Sequence, residues 1–179
     1  MIIPLQVTDY ENLVAILKVH LPTTSPWLLG IDGARGARKT TLATQIAKTM
    51  GACVVSLDLY LKTEADSYVE RVLAGTFSDA LKIAREASDR VIVEGICLRA
   101  VLQRAAVEPT LMVYVQRLTK TGIPVDFEFV DDDLSEAEML ARIGGGASAG
   151  AALDREIGGY HKRMRPHHTA DVIYQWTES

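Results

Sequence analysis

Between residues 33 and 40 the chain reads Gly33-Ala34-Arg35-Gly36-Ala37-Arg38-Lys39-Thr40. Set against the phosphate-binding pattern G-x-x-x-x-G-K-[ST], the run matches at Gly33, Lys39 and Thr40. It departs at Arg38, where the second glycine belongs. The pattern works because successive backbone N–H groups and a following helix N-terminus surround phosphate oxygens. The lysine then reaches the outer phosphates of a nucleotide, and the hydroxyl beside it ligates Mg²⁺. The residues expected to bind a nucleotide are therefore Gly33, Ala34, Arg35, Gly36, Ala37, Arg38, Lys39, Thr40 and Thr41. A glycine at position 38 lets backbone approach phosphate closely, whereas a side chain there stands in the way. Arginine is also a five-donor phosphate partner, so its presence is compatible with some anion. A turn that merely caps a helix is the alternative reading of the loop.

The elements around the loop suit it. Trp27 to Asp32 is a short apolar run bounded by turn residues and reads as a buried strand, and Thr40 to about Met50 reads as the helix that leaves the loop. Further buried strands are expected at Ala52–Leu57, Arg90–Gly95, Thr110–Val115 and Ala170–Trp176. Helices are expected at Thr8–Leu21, Glu64–Ala74, Ser78–Ala87, Leu98–Ala106, Leu134–Ile143 and Ala151–Met164. Val125–Val130 alternates partly and reads as a short edge strand, with Ile123 to Val130 an edge or an interface between two copies. Gly144 to Gly150 reads as a flexible connection. Strands apolar throughout, alternating with helices, imply an α/β fold whose mainly parallel sheet is covered on both faces. Asp32 and Glu94 fall at strand ends, and carboxyl ends of parallel strands face the ligand side of such a sheet.

The bulk numbers narrow the field. The chain has 179 residues, the length of one domain, and carries a net charge of −4 from 19 basic and 23 acidic residues. That balance argues against a nucleic-acid coat or a membrane-surface binder, although Arg35, Arg38 and Lys39 form a local positive cluster. Cys53 and Cys97 lie in apolar stretches without metal-ligand spacing, and read as reduced, buried thiols of a cytoplasmic protein. The N-terminus shows no signal peptide, and no stretch is long enough to span a membrane. His161, His167 and His168 have no supporting cysteine or carboxylate spacing and read as a solvated helix end rather than a metal site.

Taken in order, four segments resemble the uridine kinase and phosphoribulokinase-like branch of the P-loop kinases. They are Gly30-Ile31-Asp32-Gly33 through Lys39-Thr40-Thr41-Leu42-Ala43, Val54 through Tyr60, Val91 through Ile96, and Tyr160 through Pro166 with Ala170 through Ile173. The resemblance spans about Trp27 to Tyr174. It implies a three-layer P-loop kinase fold with a five-stranded sheet in a single domain, residues 1–179. Residues 1–26 would be an N-terminal helix and linker, and about 134–165 the lid and C-terminal helices. It implies ATP and Mg²⁺ as cofactors and a small-molecule hydroxyl, nucleoside- or sugar-like, as acceptor. Asp58 resembles the family's general base and, with Tyr60 and Arg99, would face the acceptor. The family usually places two residues between this aspartate and the tyrosine, where Leu59 alone stands here. Thr40 and Glu94 would hold the metal, and Lys39 would act in catalysis.

The family's lid carries an arginine-rich segment that covers the phosphates. Here Arg142 remains, but glycines follow Ile143 where further arginines and an aspartate are expected. Arg163 and Arg165 are the candidates to replace that charge. Lid arginines can contribute ~10³-fold in rate. The altered lid and Arg38 motivate the rival reading, a P-loop protein that binds a nucleotide or phosphate ligand without turnover. A dinucleotide-binding reading needs G-x-G-x-x-G after the first strand, which Gly30, Gly33 and Gly36 do not supply.

Overall fold

The computed structural model describes residues 3–61, 67–73, 76–143 and 149–177. In chain order the elements are β1 (Leu5–Val7), α1 (Tyr10–His20), β2 (Trp27–Gly33), α2 (Lys39–Met50) and β3 (Cys53–Ser56). A 3-10 turn (Leu57–Tyr60) leads to α3 (Tyr68–Leu73), α4 (Phe77–Ala87), β4 (Arg90–Glu94), α5 (Leu98–Arg104) and β5 (Leu111–Leu118). The chain then forms α6 (Phe127–Val130), α7 (Glu136–Arg142), α8 (Ala149–Met164), α9 (Pro166–Thr169) and β6 (Val172–Thr177).

The strands pair in the order β1-β6-β5-β2-β4-β3, and every pairing is parallel. The uninterrupted apolar runs follow from burial on both faces. In β5, Met112 and Tyr114 enter the core beneath α3, α4, α5 and α8, while Leu111, Val113 and Val115 enter the core beneath α1 and α2. In β4, Val91 and Val93 take the first side and Ile92 the second. The result is the expected α/β three-layer P-loop kinase architecture.

The sheet has six strands among the described residues, not five. The extra strand, β1, is three residues long and pairs with β6 through Leu5, Gln6 and Val7. Its short, largely exposed sequence carries no periodicity. A second correction concerns Val125–Val130, which is not an edge strand. The carboxylate of Asp126 turns inward to accept the Tyr114 hydroxyl at 2.7 Å, and Phe127–Val130 coils into a turn of helix. The alternation is thereby inverted: Asp126 is buried, while Val125 and Phe127 remain exposed.

The histidines depart most from expectation. His161 and His167 are buried, not solvated. His161 accepts or donates to the Tyr114 hydroxyl at 2.8 Å through Nε2 and reaches the Ile157 carbonyl at 2.8 Å through Nδ1. Of His161, His167 and His168, the last alone reaches the surface. The expected glycine-rich connection is outside the described residues from 144 to 148, and α8 already begins at Ala149. Of the helix expected at Glu64–Ala74, the described part is α3; residues 64–66 and 74 lie outside. No helix of the described residues is long and apolar enough to cross a membrane.

Candidate functional site

The central strand β2 ends at Gly33, and the chain turns through Ala34–Arg38 into α2. Gly33 has φ +152°, and a Cβ there would lie 2.5 Å from the Val115 carbonyl oxygen of β5. The strand can therefore end so close to β5 only with glycine. Arg38 occupies the helix N-cap with φ 61° and ψ 31°, the left-handed conformation that glycine adopts without cost. The loop thus keeps the backbone shape that the missing glycine would give. The Arg38 guanidinium lies 4.3 Å from the ring centroid of Trp176 on β6. The Trp176 indole N–H donates to the Ala37 carbonyl at 2.9 Å. The Arg38 guanidinium is in this way seated on an aromatic platform, at the rim of the cavity that Lys39 and Thr40 also line.

Lys39 is the first residue of α2 and is 8% exposed. Its Nζ donates to the Ala34 carbonyl at 2.9 Å, across the loop it belongs to. Burial pushes the lysine's pKa below its ordinary value, and the nearby carboxylates Asp32, Glu94 and Asp58 pull it back upward. Thr40 sits beside it and donates its hydroxyl to Oε1 of Glu94 at 2.9 Å. Glu94, at the end of β4, is 1% exposed. Two residues separated by 54 positions thus form one hydrogen-bonded oxygen pair at the carboxyl edge of the sheet.

Asp32 is as fully buried as Glu94. It accepts the Gly33 N–H at 2.7 Å and the hydroxyl of Tyr160 from α8. The Tyr160 pKa is driven up by burial and by the Asp32 charge, which keeps the phenol protonated as donor. Asp32 therefore anchors the loop's start to α8 rather than facing the cleft.

Asp58 stands in the 3-10 turn after β3 and is exposed. Its Oδ1 accepts the Tyr68 hydroxyl at 2.7 Å. Tyr68 is buried at the start of α3, and its pKa is raised by burial first and by Asp58 second. Glu156 of α8 in turn accepts the backbone N–H groups of Tyr68 and Val69 at 2.7 and 3.2 Å. A carboxylate at a helix start satisfies N–H groups that have no partner within the helix. Tyr68 and Glu156 carry no spacing signature relative to Asp58, and sequence reading missed both.

Lys39, Thr40, Glu94, Asp58, Tyr68 and Glu156 line one cavity of about 740 Å³, with Arg35, Arg38 and Arg71 also at its wall. A second cavity of about 450 Å³ adjoins the loop through Ala34, Arg35, Gly36 and Ala37, with Arg117, Asp126 and Phe129 on its far side. Other expected site residues lie elsewhere. The half-buried Tyr60 ring packs against Phe77 at 6.5 Å, at the edge of the core. The Arg99 guanidinium donates to the Thr169 carbonyl at 2.7 Å, and only its backbone N–H faces Asp32. Arg163 pairs with Glu136 at 3.7 Å and Arg165 with Asp132 at 2.6 Å. Arg142 is exposed at the end of α7. None of these five is among the residues lining the 740 Å³ cavity.

Parallel strands, a glycine-started loop and a helix opening on Lys39-Thr40 define a three-layer phosphate-loop fold. Among solved structures the chain is similar to a possible uridine kinase from Bacillus stearothermophilus, over 92% of this chain and 96% of that one, with 16% identity and a TM-score of 0.52. A shikimate kinase from Bacteroides thetaiotaomicron aligns over 84% of this chain and 86% of its own, with 17% identity and a TM-score of 0.41. No family model matches the sequence, and no curated protein does. The first likeness extends the three-layer fold over nearly the whole of both chains. The expected resemblance to uridine kinase-like P-loop kinases therefore holds at the level of fold.

Proposed function

We propose that the protein is a phosphotransferase that moves the γ-phosphoryl group of ATP to a hydroxyl of a small metabolite, nucleoside- or sugar-like. The observation that carries this reading is the convergence of Lys39, the Thr40–Glu94 pair and Asp58 on one cavity. Oxygen donors of this kind suit Mg²⁺, and Thr40 with Glu94 would hold it. When bound, the ion would neutralise phosphate charge.

The chain's own groups have assignable tasks. Lys39 would leave the Ala34 carbonyl for the outer phosphates, and its burial makes a counter-anion more favourable there. Asp58 would accept the acceptor's proton as that oxygen bonds to the γ-phosphorus and the bridging oxygen departs with ADP. Tyr68 would hold the Asp58 carboxylate in one orientation.

A non-catalytic reading, binding of a nucleotide or phosphate ligand without turnover, is favoured by a different observation. Arg163 and Arg165 are engaged by Glu136 and Asp132, away from the cavity. The test is incubation with Mg²⁺ and radiolabelled ATP across a panel of nucleosides and sugar alcohols, with Lys39→Ala and Asp58→Asn as controls. Label transfer lost in both variants supports the kinase. ATP binding by calorimetry with no transfer to any acceptor establishes the rival.

A further inference from the structure

Away from the loop, Asp132, His167 and His168 bring one ligand atom each to within 4.8 Å of one another. They come from two places in the chain. Asp132 lies in the connection between α6 and α7, and the histidines are adjacent on α9. His168 Nε2 is 2.5 Å from Asp132 Oδ2, and His167 Nε2 is 3.9 Å from Asp132 Oδ1, beyond hydrogen-bond reach.

His167 gives this cluster its meaning. Its side chain is only 9% exposed, yet neither ring nitrogen has a hydrogen-bond partner. Buried imidazole nitrogens without partners are costly, and buried polar atoms are normally satisfied. Packing does not supply the missing bond: the ring stands 4.2 Å from that of His168 and 6.1 Å from that of Tyr114, centroid to centroid.

We propose that Asp132, His167 and His168 form a binding site for a divalent transition metal ion, with Zn²⁺ or Co²⁺ as the favoured class. Two of the three donors are imidazoles, borderline ligands that select such ions over Mg²⁺. Three protein ligands leave a fourth position for water. Around Zn²⁺ the ligand atoms stand roughly 3.4 Å apart, so a small inward movement of His167 and a parting of His168 from Asp132 complete the set. The outer shell is already in place, because Arg165 holds the other Asp132 oxygen, Oδ1, at 2.6 Å. Such a partner orients a ligating carboxylate. The His168–Asp132 hydrogen bond gives way on binding, and any proton held on a coordinating nitrogen is released. The ion would tie α9 to the connection that leads into α7, closing a loop of about 35 residues. The site is distinct from the phosphate loop and does not depend on the proposed kinase activity.

The test is titration of the metal-free full-length protein with Zn²⁺ and Co²⁺ by calorimetry and visible absorption. One ion per chain is expected, with Co²⁺ bands lacking thiolate charge transfer, and with Mg²⁺ failing to compete. His168→Ala, at a half-exposed side chain, and Asp132→Asn should each weaken binding by about 100-fold or more, at or beyond the 10–100-fold typical of outer-shell changes. In the unaltered protein, Zn²⁺ should shift the imidazole resonances of His167 and His168 while leaving those of His20 in place. Absence of saturable binding, affinity unchanged in both variants, or imidazole shifts elsewhere would overturn the assignment.

Discussion

Replacing Arg38 by glycine separates two accounts of the altered loop. If the side chain fills phosphate space, Arg38→Gly must tighten nucleotide binding. The structure argues otherwise, because the guanidinium rests on Trp176 and the backbone already has the left-handed shape. Relief of left-handed strain returns roughly 1–2 kcal/mol. Loss of the cation–π contact at this exposed site costs about 0.5–1 kcal/mol. The added freedom of glycine in the unfolded chain costs about 0.5–1 kcal/mol more. These contributions nearly cancel, so Arg38→Gly should melt within about 2–4 °C of the parent, the shift that 1 kcal/mol produces at this size. Arg38→Ala keeps the strain and loses the contact, and should melt lower than the parent by a similar few degrees. ATP affinity by calorimetry should change by less than about tenfold, or 1.4 kcal/mol, in the glycine variant. Tightening beyond tenfold would refute the argument and show that Arg38 obstructs the cradle.

Three further outcomes follow from the same geometry. Glu94→Gln keeps a hydrogen-bond partner for Thr40 but removes the buried charge; steady-state assays should show kcat down by about 10²-fold or more and a higher Mg²⁺ requirement. Tyr68→Phe deletes one hydrogen bond to Asp58; thermal melts should show a loss of about 1 kcal/mol, and kcat should fall with little change in KM. Burial raises the Asp126 pKa above 3.8, so the folded state holds that proton more tightly than the unfolded chain. The stability this group contributes is fully present below pH 3.8 and is lost as pH rises through its folded value. Urea midpoints measured over that range should fall in the parent and flatten in Asp126→Asn.

The layers of the fold were legible because β2, β3, β4, β5 and β6 are apolar on both faces and α1, α2 and α4 are periodic. The phosphate loop and its Thr40–Glu94 partner were legible for a related reason: both sit at strand ends, where parallel topology brings them to one edge. What the sequence concealed depends on long-range polar pairing. Asp126 reads as a surface residue until the Tyr114 hydroxyl meets it, and that one bond turns a strand pattern into helix. His161 and His168 read as a wet helix end because their partners, Tyr114 and Asp132, lie 47 and 36 positions away in sequence. Charge composition likewise says nothing of pairing: Arg163 and Arg165 are cations by sequence, but Glu136 and Asp132 decide where they point.

Around Asp58, the resemblance pointed to Tyr60, whereas the tyrosine that meets the carboxylate is Tyr68. A tyrosine two residues after Asp58 lies in the same 3-10 turn, and there its half-buried ring packs against Phe77 at the edge of the core. Tyr68 arrives from the next helix, whose start is held by Glu156 of α8 through two backbone N–H groups. Asp58 is thus connected through Tyr68 and Glu156 to α8, and the loop's Asp32 is connected to α8 through Tyr160. One helix therefore sets the positions of both the phosphate loop and the carboxylate that faces it. Because these ties are hydrogen bonds to buried or half-buried groups rather than surface ion pairs, they are weakly screened and geometrically strict. A displacement of α8 would therefore act on the Tyr68 that holds Asp58 and on the Asp32 that starts the phosphate loop.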